Sequence, residues 1–343
     1  MTPIDRDRRR LLAGAGGLIG SAALPGFASA QAKWTGRQFH NQPEDSHLHP
    51  FLTDLWAEVA QRSGGRLLVS VHAQNGQIPG SDPAALDMLQ KGGLEFFALM
   101  GGILSKAVPA ADIQGLPYAF RTHAQVHAAN DGALGAYLGR ECAAKGIHRF
   151  QFGLMENGFR QIGMIDRPIR TVDDLAGKRI RVPDGELFRD TFATLGAVPV
   201  TVNINGLYDA LKTAKVDGQE NPLVVTEFNR LYEVSHNQSM TNHMWSGFNL
   251  IANPGFWNAL PADVQRIVDA AVKRHVARQR AFTDQLNRRL ETTLAGRGQE
   301  FNAADPKSFR ERLGPDFYRR WNAQLGAVSW DLLERQVGRL GPI

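Results

Sequence analysis

Gly177-Lys-Arg-Ile-Arg-Val-Pro183, Leu195-Gly-Ala-Val-Pro-Val200, Leu207-Tyr-Asp-Ala-Leu211 and Val216-Asp-Gly-Gln-Glu-Asn-Pro222 follow one another within 46 residues. Their reading decides the fold. Lys178 to Val182 is a short run closed by Pro183, which predicts a strand. Gly185 to Leu195 has helical spacing, Val198 to Val202 reads as a second strand, and Gly206 to Thr213 as a second helix before a loop through Asp217-Gly218. Just upstream, Thr171 and Asp174 stand three apart, as in a reciprocal helix-start box. Strands alternating with short helices predict an α/β layer architecture.

The same alternation occurs once before. Leu48, Phe51, Leu52, Leu55 and Val59 recur at helical spacing up to Gly64-Gly65, and Leu67, Val69 and Val71 alternate as in a strand. A helix from Pro83 to Lys91 and an apolar strand from Leu94 to Met100 follow, running into Gly101-Gly102. The two α/β units meet at a connector, Asn157-Gly158. Downstream, Pro261 to about Ala295 keeps a helical pattern with a narrow apolar stripe (Val264, Ile267, Val268, Ala271, Val272, Val276). A helix of that length is expected to lie across both units. Phe309, Phe317, Tyr318, Trp321 and Trp330 mark a closing helical layer in residues 305–335.

The chain has 343 residues, of which 43% are hydrophobic and 8% aromatic, enough for more than one core. Its formal charge is +5, and four arginines against two aspartates in the first ten residues account for +2 of it. The remaining basic cluster (Lys273, Arg274, Arg278, Arg280, Arg288, Arg289) is interspersed with acids and reads as a solvated helix face, so no nucleic-acid partner is expected. The single cysteine, Cys142, in a helical stretch from Leu134 to Ala144, permits no internal disulfide and reads as a buried thiol.

Residues 1–30 read as an export signal. A basic segment (Arg6 to Arg10) precedes an apolar Ala/Gly/Leu stretch (Leu11 to Leu24), and Ala28-Ser29-Ala30 has the small-residue pattern of a cleavage site. The run Arg8-Arg9-Arg10-Leu11-Leu12 is similar to a twin-arginine signal. A mature start at Gln31 in a bacterial periplasm is expected, with no Cys near the cleavage site for a lipid anchor.

The four opening pieces, together with His40-Asn-Gln-Pro-Glu44, Gly76-Gln77, Leu116-Pro117-Tyr118, Asn157-Gly-Phe-Arg160 and Met240-Thr-Asn-His243, resemble the signature of the TRAP (tripartite ATP-independent periplasmic) transporter solute-binding proteins, of the DctP type, over nearly the whole mature chain. The resemblance implies a two-lobed periplasmic binding protein, or Venus-flytrap, fold with a long helix bridging both lobes. One lobe would hold about 34–157 plus 247–286 and the other 158–246 plus 287–335. It implies no enzyme and no cofactor. The partners would be a small organic acid held in the cleft and integral membrane TRAP permease subunits that receive it, and the chain would act as a monomer.

By motif match, Arg181 would form a two-pronged salt bridge with the ligand carboxylate, which suits a planar guanidinium fork. Read from the residues alone, alternation in Lys178-Arg-Ile-Arg181 favours a surface arginine on an edge strand, since charged residues are usually exposed, and the motif around it reverses that preference. Arg160 matches a second family arginine that helps hold the acid. Asn221, with both donors and an acceptor, suits a carboxylate, hydroxyl or keto oxygen, or else serves as a turn residue before Pro222. Asn41 would contribute from the opposite lobe, or cap a turn. Met100 stands where sialic-acid binders place an acidic contact, and Ile204 where an aromatic is often found, which argues against a sugar acid rich in hydroxyls. Trp245 would stack on an unsaturated or aromatic ligand, core packing being an equal explanation. Aliphatic or aromatic monocarboxylates and C4 dicarboxylates stay open.

Two other readings compete. His47-Leu-His49, with His40 nearby, has a spacing used by metal-dependent hydrolases, although no later His/Asp set completes a metal site. A ligand sensor of the same fold is the other.

Overall fold

A computed structural model describes residues 33–341, so the expected export signal lies outside the described residues. Among the described residues nine strands form one sheet: β1 (Trp34–His40), β2 (Leu67–His72), β3 (Phe96–Met100), β4 (His148–Met164), β5 (Arg179–Val182), β6 (Val198–Thr201), β7 (Gly218–Asn221), β8 (Asn237–Ala252) and β9 (Glu300–Ala303). Their order is β2-β1-β3-β8-β4-β7-β5-β6, with β9 beside β8. At one end β1 runs parallel to β2 and β3; at the other, β5 runs parallel to β6 and β7. These two parallel groups are the two α/β units expected from the sequence.

Two long antiparallel strands join the groups. The 17 residues of β4 pair with the 16 of β8, and a strand of that length reaches up to roughly 55 Å. The register breaks between Glu156 and Gly158 and again between Arg160 and Ile162. Each break adds a bend, which turns one sheet into two lobes. Gly158 has φ +129°, and a Cβ there would come within 2.8 Å of the Asn287 side chain, so the bend requires glycine. The segment expected to be a connector is therefore the interior of a strand. The expected loop at Asp217-Gly218 likewise runs directly into β7, and all four residues of that strand are buried.

The helix Ala262–Ala295 has 34 residues, about 50 Å at 1.5 Å per residue. Its first half places Val264, Val268, Val272 and Val276 in the core that holds Leu52, Phe96 and Phe97, while Leu290 and Leu294 enter a second core with Leu207, Leu211, Val224 and Leu231. One helix thus packs into both hydrophobic clusters, as its unusual length suggested. Of the C-terminal helices, Pro306–Leu325 touches the helix Glu186–Thr194 and β8, whereas Ala327–Val337 rests on the helices His123–Asp131 and Ala133–Ala144. Cys142 is fully buried in the helix Ala133–Ala144.

Candidate ligand-binding site

β5 is an interior strand, flanked by β6 and β7, which corrects the edge-strand alternative for Arg181. Alternation sends Ile180 into the core and Arg179 and Arg181 the other way. Arg179 stays exposed, its backbone N–H donating to the Asp217 carboxylate at 2.8 Å. Two residues further along, Arg181 is only 2% exposed. Its Nε donates to the carbonyl oxygen of Val202 at 2.7 Å, and its terminal nitrogens have no protein acceptor among the described residues. Burial pulls this guanidinium down to about 10, against the opposing pull of Glu220 and Asp82, so it remains a cation at neutral pH. A buried cation without a contacting counter-ion is costly, and an anion delivered to it removes that cost.

Arg160 lies on β4 beside the register break, 1% exposed, and its donors are already engaged. Nη2 donates to Glu220 Oε1 at 2.8 Å, to the Glu220 carbonyl at 2.6 Å and to Asn221 Oδ1 at 3.2 Å; Nη1 donates to Ser246 Oγ at 3.0 Å. Nε meets the second carboxylate oxygen of Glu220, completing a two-pronged pair. Burial raises the Glu220 carboxyl, but Arg160 and His243 outweigh it and the net shift is downward. Arg160 is therefore a built-in partner of Glu220 that positions Asn221, and its fork is not free for a ligand in this arrangement.

Arg181, Arg160, Asn221, Asn41, Met100 and Ile204 line one cavity of about 30 Å³, together with Gln42, Asp82, Ile103, Asn157, Pro183, Val225 and Phe248. Six of the seven residues singled out from the sequence thus converge. Trp245 does not: it is 2% exposed, and its indole N–H donates to Glu156 Oε1 at 2.7 Å, away from the cavity. Of the two explanations open for Trp245, packing is the one the structure supports.

Asn41 Nδ2 donates to Asp82 Oδ2 at 2.8 Å, and its Oδ1 accepts from Gln42 at 2.9 Å. Burial raises the Asp82 carboxyl, while Asn41, Asn75 and the Arg181 charge work against that rise. Asp82 lay outside every quoted motif, and Gln42 stood inside one, His40 to Glu44, without a role. Glu220 stood inside the quoted motif without a role. The cavity adjoins a wider cleft of about 420 Å³ lined by Pro43 and Gln74 on one side and Asn205, Tyr208, Phe228 and Arg230 on the other, with Ile204 common to both. Asn229 Nδ2 donates to Gln42 Oε1 at 3.2 Å across this mouth.

The histidines of the hydrolase alternative do not share a centre. His40 Nε2 faces His49 Nδ1 at 2.9 Å, while His47 is buried against Phe228. Among the described residues no group of three or more His, Cys, Asp or Glu is placed to hold a metal, and no helix there is long and apolar enough to cross a membrane.

Two α/β lobes joined by crossing strands, with a buried cation and amides at their junction, define a cleft-binding protein. Residues 39–324 match the bacterial extracellular solute-binding protein family 7, and the chain belongs to that family. It is 26% identical to the C4-dicarboxylate-binding protein DctB of Bacillus subtilis over 272 residues, 78% of this chain and 76% of the relative. It is 28% identical to the C4-dicarboxylate-binding periplasmic protein DctP of Rhodobacter capsulatus over 242 residues, covering 68% and 71%. The crystal structure of a TRAP periplasmic solute-binding protein from Sulfitobacter sp. NAS-14.1 with bound β-D-galacturonate superposes with a TM-score of 0.82 at 26% identity, over 89% of this chain and 99% of that one. The chain is a TRAP-type solute-binding protein and not an enzyme.

Proposed function

We propose that this protein captures a small organic carboxylate in the interlobe cavity and delivers it to the membrane subunits of a TRAP transporter. The observation that carries this reading is Arg181: a buried guanidinium, tethered through Nε to Val202, in a cavity walled by Asn41, Asn221 and Asp82. Its planar fork matches a carboxylate, and tethering removes most of the side-chain freedom that binding would otherwise have to freeze. Asn221 then supplies a donor and an acceptor to the remainder of the ligand, with Met100 and Ile204 as apolar walls. Arg160 acts through Glu220 and Asn221.

Capture couples to closure. The open cleft admits the anion, Arg181 anchors it from the β5 lobe, Asn41 and Gln42 complete the shell from the other, and ligand shifts the population toward the closed form. The working unit of this reading is a monomer, and residues 1–30 direct it to the periplasm. The carboxylate class follows the names of the relatives, which include C4-dicarboxylate binders and a galacturonate complex.

A thermal-shift series on residues 31–343 with succinate, malate, lactate, pyruvate, benzoate and galacturonate, each paired with its amide or methyl ester, tests the reading. A ligand that binds the folded form raises Tm. The expected result is a rise with at least one free acid and none with its uncharged derivative; equal rises with acid and ester would overturn the anchor.

A further inference from the structure

The crossing strands have a second face. Arg160 points into the ligand cavity, and its neighbour Phe159 points the opposite way, as alternation requires. There it lines a separate cavity of about 500 Å³ with Tyr118, Phe120, Arg121 and His123 on one side and Met240, Asn242, Pro306 and Arg310 on the other. The volume lies within the usual range for small-molecule sites, and the mixture of aromatic rings with a few cationic groups has the composition of one. Neither Arg121 nor Arg310 makes an ion pair with a carboxylate among the described residues, whereas Arg274, Arg280 and Arg288 on the long helix do so. The Tyr118 hydroxyl is buried without a hydrogen-bond partner, and Tyr118 is held at φ +52°, a conformation uncommon for a bulky residue.

We propose that this hinge-side cavity is a second binding site, for an aromatic monoanion. The rings of Tyr118, Phe120 and Phe159 offer stacking surfaces, and Arg121 and Arg310 neutralise one negative charge. The walls come from segments on both sides of the bent strands, so occupancy depends on the angle between lobes and biases closure. His123 connects the cavity to the bend itself: its Nδ1 lies 2.9 Å from Glu156 Oε2, at the register break.

The test uses 8-anilinonaphthalene-1-sulfonate, an aromatic anion that fluoresces when desolvated, titrated against the folded mature chain. Saturable one-to-one binding is expected, retained in Arg181→Ala, where the front cavity is disabled. In the double variant Arg121→Glu/Arg310→Glu it should weaken by roughly tenfold or more, from two lost charge contacts. Arg121→Gln/Arg310→Gln, with far-ultraviolet circular dichroism as the folding control, should show a smaller loss in the same direction. No saturable binding, undiminished binding in both double variants, or loss of binding in Arg181→Ala would each overturn the proposal.

Discussion

Replacing Glu220 by Gln keeps the volume of the side chain and removes its charge, leaving Arg160 as a cation 1% exposed among neutral partners. The guanidinium keeps its bonds to the Glu220 carbonyl, Asn221 and Ser246, but loses the carboxylate that balanced it. Both groups are out of water, so solvent screening does not reduce the effect. Breaking a buried pair from one side costs about 3–5 kcal/mol, which lowers Tm by roughly 5–15 °C for a chain of this size. Urea unfolding followed by circular dichroism measures it. The double variant Arg160→Met/Glu220→Gln removes the stranded charge and should recover most of the loss, since the penalty comes from the unpaired buried cation. A Glu220→Gln protein within about 0.5 kcal/mol of wild type, below the usual cost of a buried unpaired charge, would refute the view that Arg160 is committed to Glu220. It would return Arg160 to the set of direct ligand contacts.

Stability should also respond to acid through His47. Burial holds this imidazole down to about 4, so it is neutral in the folded protein, whereas the unfolded chain protonates it near 6.5. The contribution is complete above pH 6.5 and is lost as pH falls towards 4, by about 3 kcal/mol at most; His47→Gln should flatten that part of the denaturation midpoint against pH. Trp245→Phe removes the donor to Glu156 and is expected to cost about 1–3 kcal/mol of stability while leaving carboxylate affinity unchanged, whereas a selective loss of affinity would restore Trp245 to the site. Gln42→Ala removes the hydrogen bond from Asn229 across the mouth and should raise the ligand off-rate in stopped-flow measurements more than it changes the on-rate.

The apolar parts of this fold were legible because they obey simple periods. Leu67–Val71 alternates, and the Val264, Val268, Val272 and Val276 positions trace one helix face, so the corresponding strand and the long helix were placed within a few residues. The strands that build the site were harder to read. Gly218–Asn221 is Gly-Gln-Glu-Asn, and β4 passes through Glu156, Asn157, Gly158 and Arg160. Such residues imitate turns in a sequence, and here they are strands because their polar groups bond one another inside the protein. The identity of Arg181 as a candidate was available from the motif around it. Its burial was not, since that depends on β6 and β7 arriving on either side. The commitment of Arg160 to Glu220 joins residues 60 apart in sequence, and no local period reports a contact of that kind. Trp245 offered two readings of equal weight, and only the position of Glu156 decides between them.

Isothermal titration of Arg181→Ala and Arg181→Lys, with the acid that gives the largest rise in Tm, tests the central claim most directly. The account predicts that Ala loses about 2–5 kcal/mol of binding, at least roughly thirtyfold in Kd. Lys should recover only part of this, because a point charge cannot reproduce the planar fork. Wild-type affinity in a correctly folded Arg181→Ala protein would contradict the account.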